Sequence, residues 1–197
     1  MTTATTTQLI DPRPVYDGAT AWVLGLLRAV REDQQHLPTP CEEFDVRTLS
    51  SHLIGTVGRV IALAETGDAE TAPAIAPEHD ADTFERLAAE AQQIWGEDAL
   101  LAKLVKAPWG EAEGRIALWC YANEALVHGW DLAVATGQQP EADPALVEPV
   151  AAVVDQFIPA EIRGPGVPFA AVVEPRTDAG PTERLANWSG HASHGWL

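Results

Sequence analysis

Glu124 and His128 are the pair of residues in this sequence whose types and spacing best fit metal chemistry. They are four residues apart on a segment predicted to be helical, so both side chains lie on one face, about one turn apart. A carboxylate and an imidazole placed in this way can bind one divalent ion together. The alternative is a surface ion pair or a buried hydrogen bond between them, because an isolated pair at this spacing is common.

His52 offers a third candidate ligand from a different predicted helix. It lies beside an apolar row, where a lone histidine is more often a core residue satisfied by one hydrogen bond. With Glu124 and His128 it would form a set of two histidines and one carboxylate, which suits zinc with one open position. The same set suits nickel and other divalent first-row metals, because it does not select among them by itself.

Asp131 follows His128 by three residues and is placed to accept a hydrogen bond from its imidazole, which would orient the ring. A solvated carboxylate on the helix surface is the alternative for this residue. Burying Glu124 as an anion without a cation nearby would cost several kcal/mol, and a divalent ion would remove that cost. The sequence therefore predicts a metal site formed by His52, Glu124 and His128. It identifies no catalytic residue.

Two rival interpretations stay open at this point. In the first, the ion is a structural zinc without catalysis, and a fourth protein ligand closes its shell. The candidates for that ligand are Cys120, one turn before Glu124, and His194, in a tail rich in histidine and tryptophan. Cys120 is otherwise a small core residue, and the tail is otherwise a packed or loose terminus. In the second, the protein is a metal-free interaction module with a hydrogen-bonded His–Glu–His cluster.

Helices are needed to position these side chains, and the spacing of apolar residues predicts them. The segment 115–136 is the strongest prediction, since it has no proline and ends at Gly137, a typical C-cap residue. Asp45 is a typical N-cap for the helix that carries His52, and Gly67 would end that helix. Further helices are predicted over 14–36, from Asp82 or Thr83 to Val105, over 144–157 and over 181–188.

The predicted fold class is all-α, an up-and-down four-helix bundle with an additional helix and an irregular C-terminal extension. Residues 1–13 are expected to be a loose N-terminus, and residues 14–158 are expected to form the metal-binding bundle. Residues 159–197 are expected to be a loop-rich extension packed on the bundle. Within that extension, 170–174 is predicted to be a short strand or an extended packing segment.

The chain of 197 residues carries 29 acidic and 12 basic residues, a formal net charge of −17, and 46% of its residues are hydrophobic. These values are typical of a soluble globular protein and argue against disorder. The negative charge excludes nucleic-acid binding through the general surface and attraction to a membrane of anionic lipid. The sequence has no run of about 20 apolar residues and no signal peptide, so a cytoplasmic location is expected.

Longer motifs surround the candidate ligands. Residues 38–53 begin with Pro-Thr-Pro-Cys, continue through an aromatic residue and a capped valine, and end in a Leu-x-x-His turn. Residues 124–133 read Glu-Ala-Leu-Val-His-Gly-Trp-Asp-Leu-Ala, followed by Ala-Thr-Gly at 135–137. In these motifs, and in the tail at 157–169 and 178–185, the sequence resembles the DinB/YfiT-like metalloenzymes. The resemblance is to the metal-binding domain at the N-terminus of mycothiol-dependent maleylpyruvate isomerase.

The resemblance implies a DinB-like four-helix bundle with one divalent metal, usually zinc, and it gives the ligand roles to His52, Glu124 and His128. It implies that the metal activates a low-molecular-weight thiol, such as mycothiol, as a thiolate. The expected function is therefore that of a thiol-dependent transferase or isomerase-like metalloenzyme, with thiol or water in the open position. Its expected partners are a small-molecule thiol and an electrophile.

Two further expectations follow from the resemblance. The isomerase carries a second, substrate-handling domain with a catalytic arginine after the bundle, and nothing in this sequence matches that arginine. Isomerisation of maleylpyruvate itself is therefore not expected of this chain. Bundles of this kind often pair through a helix face, so a homodimer is compatible with the sequence.

Overall fold

The computed structural model describes residues 10–157, 160, 163 and 170–197, and these form an all-α fold, which confirms the predicted fold class. Residues 1–9 of the predicted N-terminus, and most of the segment 158–169, lie outside the described residues. No helix in the described part of the chain is long and apolar enough to cross a membrane. The helices are α1 (Arg13–Ala29), α2 (Val46–Glu65), α3 (Ala81–Ile94), α4 (Asp98–Ala102), α5 (Gly114–Thr136), α6 (Pro144–Phe157) and α7 (Pro181–Trp188).

Helix α5 is the central helix of the bundle, and it packs against α1, α2, α6 and α7. Of its 23 residues, 18 are buried, so a polar side chain on α5 has to find its partner inside the protein. Gly129 lets α1 come close, because a Cβ there would collide with the ring of Trp22. The helix ends as predicted at Gly137, whose φ of 69° is in the left-handed region.

The first predicted helix is too long. Helix α1 ends at Ala29, because Val30 is extended, and a one-turn 3-10 helix follows at Glu32–Gln34. The side-chain amide of Gln34 donates a hydrogen bond of 2.8 Å to the backbone carbonyl of Thr136. This bond ties the turn after α1 to the end of α5, so a tertiary contact replaces the predicted last turns of the helix.

The third predicted helix is also too long, since α3 ends at Ile94 and not at Val105. Trp95 turns into the core there, and its indole N–H donates a hydrogen bond of 3.0 Å to the carbonyl oxygen of Val60. The chain continues through α4 into an antiparallel hairpin that the sequence does not predict. Its strands are β1 (Leu104–Ala107) and β2 (Gly110–Glu113), and Leu104 pairs with Glu113 across them.

Helix α7 packs against α5 and α6, and a carboxylate from the segment before α6 holds its N-terminus. Glu141 accepts hydrogen bonds from the backbone N–H groups of Thr182 and Glu183, at 2.9 and 3.2 Å. The negative charge also suits the positive end of the helix dipole. Before α7, residues 170–176 are irregular and contain no strand, so the short strand predicted at 170–174 is absent. Four of these five residues are exposed.

Candidate metal centre

His52 is carried by the first half of α2, whose start is fixed by Asp45. The carboxylate of Asp45 accepts a hydrogen bond of 2.8 Å from the backbone N–H of Thr48, as an N-cap does. Nδ1 of His52 lies 3.0 Å from the carbonyl oxygen of Ala74. Because a carbonyl oxygen only accepts, Nδ1 carries the proton, and Nε2 is left as the nitrogen that can bind a cation.

Glu124 and His128 lie one turn apart on α5, on the side of the helix that His52 approaches. Asp131 is fully buried, and its Oδ2 lies 3.0 Å from Nδ1 of His128. Since the carboxylate accepts, Nδ1 of His128 carries a proton and Nε2 faces Glu124. Asp131 thus fixes the ring of His128 in the orientation that a metal-binding imidazole needs.

Three possible ligand atoms converge between α2 and α5. Oε2 of Glu124 lies 3.7 Å from Nε2 of His52 and 3.6 Å from Nε2 of His128. Both distances are longer than a hydrogen bond. Two ligands that are each about 2.1 Å from a tetrahedral ion lie about 3.4 Å apart. The spacing of the three atoms therefore resembles a ligand set more closely than it resembles a hydrogen-bonded cluster.

Glu124 and His128 have strongly shifted pKa values. Burial alone would raise the pKa of Glu124, but the imidazoles of His128 and His52 outweigh burial and hold that pKa well below its usual range. Burial alone would lower the pKa of His128, but Asp131 and Glu124 outweigh burial and raise it to about 10. In the protein without metal, Glu124 is therefore an anion, and His128 holds a proton that an incoming cation has to displace.

All three side chains line one cavity of about 240 Å³. The segment before α2 contributes Cys41 and Phe44 to its wall, and the segment after α7 contributes Ser189 and His191. A larger groove of about 300 Å³ lies between α6 and α7, but it is lined mostly by apolar side chains and shares no lining residue with this cavity. The candidate ligands therefore face a separate space that can admit a small molecule.

The residues predicted as a fourth protein ligand lie elsewhere. Cys120 is 6% exposed and is not part of the cavity wall, and burial raises the pKa of its thiol to about 12. His194 is exposed to solvent. Cys41 does line the cavity, and burial, followed by the charge of Asp131, raises the pKa of its thiol to about 11.

His191 joins the cluster, although the sequence does not single it out. Its Nδ1 lies 3.0 Å from Oδ1 and 2.9 Å from Oδ2 of Asp131, on the carboxylate that also accepts from His128. His191 directly follows Gly190, which ends α7 with a φ of 98°. That glycine is the signal in the sequence, because a glycine at a helix C-terminus fixes the direction of the next residue.

The candidate ligands lie in a segment of the chain that matches a known protein family. Residues 16–133 match the family described as the mycothiol maleylpyruvate isomerase N-terminal domain. This range contains His52, Glu124, His128 and Asp131, whereas His191 lies beyond it. Two uncharacterized proteins of Mycobacterium tuberculosis, one from each of two strains, are 31% identical over 184 residues, which is 92% of this chain and 98% of each relative. No solved structure matches the chain significantly.

Proposed function

Because this chain belongs to the family of the mycothiol maleylpyruvate isomerase N-terminal domain, we propose that it is a metal-dependent enzyme of the thiol-transferase or isomerase-like type. One divalent ion, zinc in the first instance, is held by His52, Glu124 and His128. The remaining position of the ion faces the cavity and receives a small-molecule thiol of the mycothiol type. The convergence of the three ligand atoms at 3.6 and 3.7 Å supports this proposal more than any other observation.

The donor set fits such an ion. Two imidazole Nε2 atoms and one carboxylate oxygen suit zinc with one position open, and they also accept nickel or another first-row metal. Both imidazoles have their Nδ1 atoms engaged by oxygen acceptors, so their Nε2 atoms are directed at the site. An ion bound there would lower the pKa of a thiol or water that reaches it.

The residues of the chain supply the orientation and the shape of the site. Asp131 and the carbonyl of Ala74 hold the two imidazoles, and the ring of Phe44 packs 5.2 Å from the ring of His52 and covers that side of the cavity. Burial raises the pKa of the Cys41 thiol to about 11, which disfavours its thiolate in the metal-free protein, and the proposal takes the nucleophile from the small-molecule thiol. A structural zinc would need a fourth protein ligand, and neither Cys120 nor His194 lies in the cavity wall. Cys41 and His191 do line the cavity, but neither belongs to the group of ligand atoms within 4.8 Å of one another that His52, Glu124 and His128 form.

Thiol binding at the metal can be tested with cobalt as a spectroscopic probe. We expect the cobalt-loaded protein to develop a thiolate-to-metal charge-transfer band when mycothiol or N-acetylcysteine is added. The zinc-loaded protein should then accelerate the reaction of the same thiol with an electrophile such as chlorodinitrobenzene, and a Glu124→Ala variant should not. A cobalt spectrum that thiol leaves unchanged would overturn the proposed thiol activation and leave only a metal-binding protein.

Zinc binding near neutral pH should release about one proton per ion, because the ligand His128 is protonated in the metal-free protein. The zinc affinity should accordingly increase with pH across the neutral range, because Asp131 and Glu124 raise the pKa of His128 to about 10. Calorimetric titration in two buffers of different ionisation enthalpy measures the number of protons released. An Asp131→Asn variant, which removes the main partner that raises this pKa, should release fewer. Release of almost no protons by the wild type would show that His128 is neutral before the metal binds, and equal release by both proteins would show that Asp131 is not what holds its proton.

A further inference from the structure

We propose that His191 is a positioning residue of the metal centre, which holds Asp131 in place and thereby orients the ligand His128. The inference deepens the proposed function and rests on it where metal affinity is the readout. It extends the centre to the chain segment after α7, beyond the range that matches the family. Three sets of contacts support it.

The first set joins two imidazoles to one buried carboxylate. Asp131 is fully buried, and Nδ1 of His128 is 3.0 Å from its Oδ2. Nδ1 of His191 lies between the two oxygens of the same carboxylate, 3.0 Å from Oδ1 and 2.9 Å from Oδ2. The rings of His128 and His191 meet edge to face, with centroids 5.3 Å apart. With both donors in place the carboxylate has one orientation. Without His191, a buried anion loses one of its two imidazole donors and is free to rotate away from His128.

The second set fixes the backbone of His191. Gly190 adopts a φ of 98°, and the N–H of His191 donates a hydrogen bond of 3.0 Å to the carbonyl of Ala186, five residues earlier. This is the bond that closes a helix end after a left-handed glycine. The carbonyl of His191 accepts a hydrogen bond of 2.8 Å from the side chain of the buried Asn187. The end of α7 therefore determines where the imidazole of His191 lies.

The third set of contacts holds α7 in place on the bundle, and this fixes the position of the helix end that His191 follows. Its first turn is bound by the carboxylate of Glu141, at 2.9 Å from the backbone N–H of Thr182. Glu183, 1% exposed, forms an ion pair with Arg176 at 2.9 Å. Contacts thus run without a gap from the bundle through α7 to His191, and from His191 through Asp131 to His128.

A second ion bound by His128, Asp131 and His191 is the other arrangement that these atoms permit. The two hydrogen bonds already satisfy both Nδ1 atoms at ordinary distances, so the structure favours positioning over a second ion. The number of zinc ions per chain separates the two. One ion is expected in the wild type, and two ions that fall to one in a His191→Ala variant would overturn the positioning role.

The zinc affinity of the full chain, measured by competition with a chromophoric chelator, tests the inference. His191→Ala should weaken zinc binding by at most about 10- to 100-fold, the loss that is typical when the hydrogen-bond partner of a ligand is removed, because Asp131 remains but is no longer held in place. His191→Asn should recover most of the affinity, because Nδ2 of asparagine is bonded to Cγ as Nδ1 of histidine is and can donate to Asp131. His194→Ala, an exposed histidine of the same segment, is the matched control and should bind zinc as the wild type does.

A second readout does not depend on zinc. In the metal-free protein, the ring nitrogen resonances of His128 should shift in His191→Ala and return in His191→Asn. Unchanged resonances, or equal zinc affinity in the wild type and His191→Ala, would overturn the inference, as would equally weak zinc binding by the alanine and asparagine variants. If the wild type bound no zinc, the proposed function would fail, and the resonances alone would decide whether His191 positions His128.

Discussion

Replacing His128 by alanine is expected to reduce bound zinc from about one ion per chain to almost none. The substitution removes one of three protein ligands, and it also removes the imidazole that separates Asp131 from Glu124. Two anionic side chains and His52 remain, without the geometry that zinc requires. Elemental analysis of protein purified without a histidine tag measures the effect directly.

The control for this experiment is the His194→Ala variant, which removes a histidine that is exposed and outside the cavity wall. It should retain the zinc content of the wild type. Equal and low zinc in the wild type and in His128→Ala would contradict the metal site. A wild-type zinc content in His128→Ala would place the ion somewhere else in the protein.

The second large effect is expected from Gly55→Ala. A Cβ at position 55 would collide with the carbonyl oxygen of Ala74, which belongs to the loop packed on α2. The same carbonyl holds Nδ1 of His52. We expect a loss of about 1–3 kcal/mol of stability from overpacking. We also expect weaker zinc binding, because the loop has to move away from His52. Thermal unfolding and zinc titration of the purified variant measure the two effects.

Gly58→Ala, three residues further along the same helix, is the matched control. A Cβ at position 58 meets no atom within 4 Å. Alanine is the better helix former by about 1 kcal/mol, so this variant should be as stable as the wild type or more stable. If Gly55→Ala unfolded at the same temperature as Gly58→Ala and bound zinc with the same affinity, the close packing of the loop against α2 would not be what positions His52.

The part of the site that lies within one helix follows from the sequence. Glu124, His128 and Asp131 are spaced by four and three residues on α5, and helical geometry alone brings them together. His52 comes from α2, so its approach to α5 depends on how the two helices pack. The position of His52 beside an apolar row makes it a candidate ligand, and the resemblance to a known family gives the same three residues the ligand roles.

The features that the sequence does not predict depend on long-range contacts. Helix α3 stops at Ile94 because the indole of Trp95 reaches the carbonyl of Val60 on α2, and nothing in the local sequence shows that bond. His191 reaches Asp131 from the end of α7, and the start of α7 is held by Glu141, which lies 41 positions before Thr182 in the chain. The spacing of apolar residues and the capping residues predict single helices and strands. They do not predict contacts between elements that are far apart in the chain.

Zinc-edge anomalous diffraction from crystals of the zinc-loaded protein would show whether His52, Glu124 and His128 bind one ion. One anomalous peak per chain is expected, within bonding distance of Nε2 of His52, Nε2 of His128 and a carboxylate oxygen of Glu124. The peak should face the cavity that Cys41 and His191 line. A zinc-loaded crystal without a peak between α2 and α5, or with the peak bound by other side chains, would rule out a metal centre formed by these three residues.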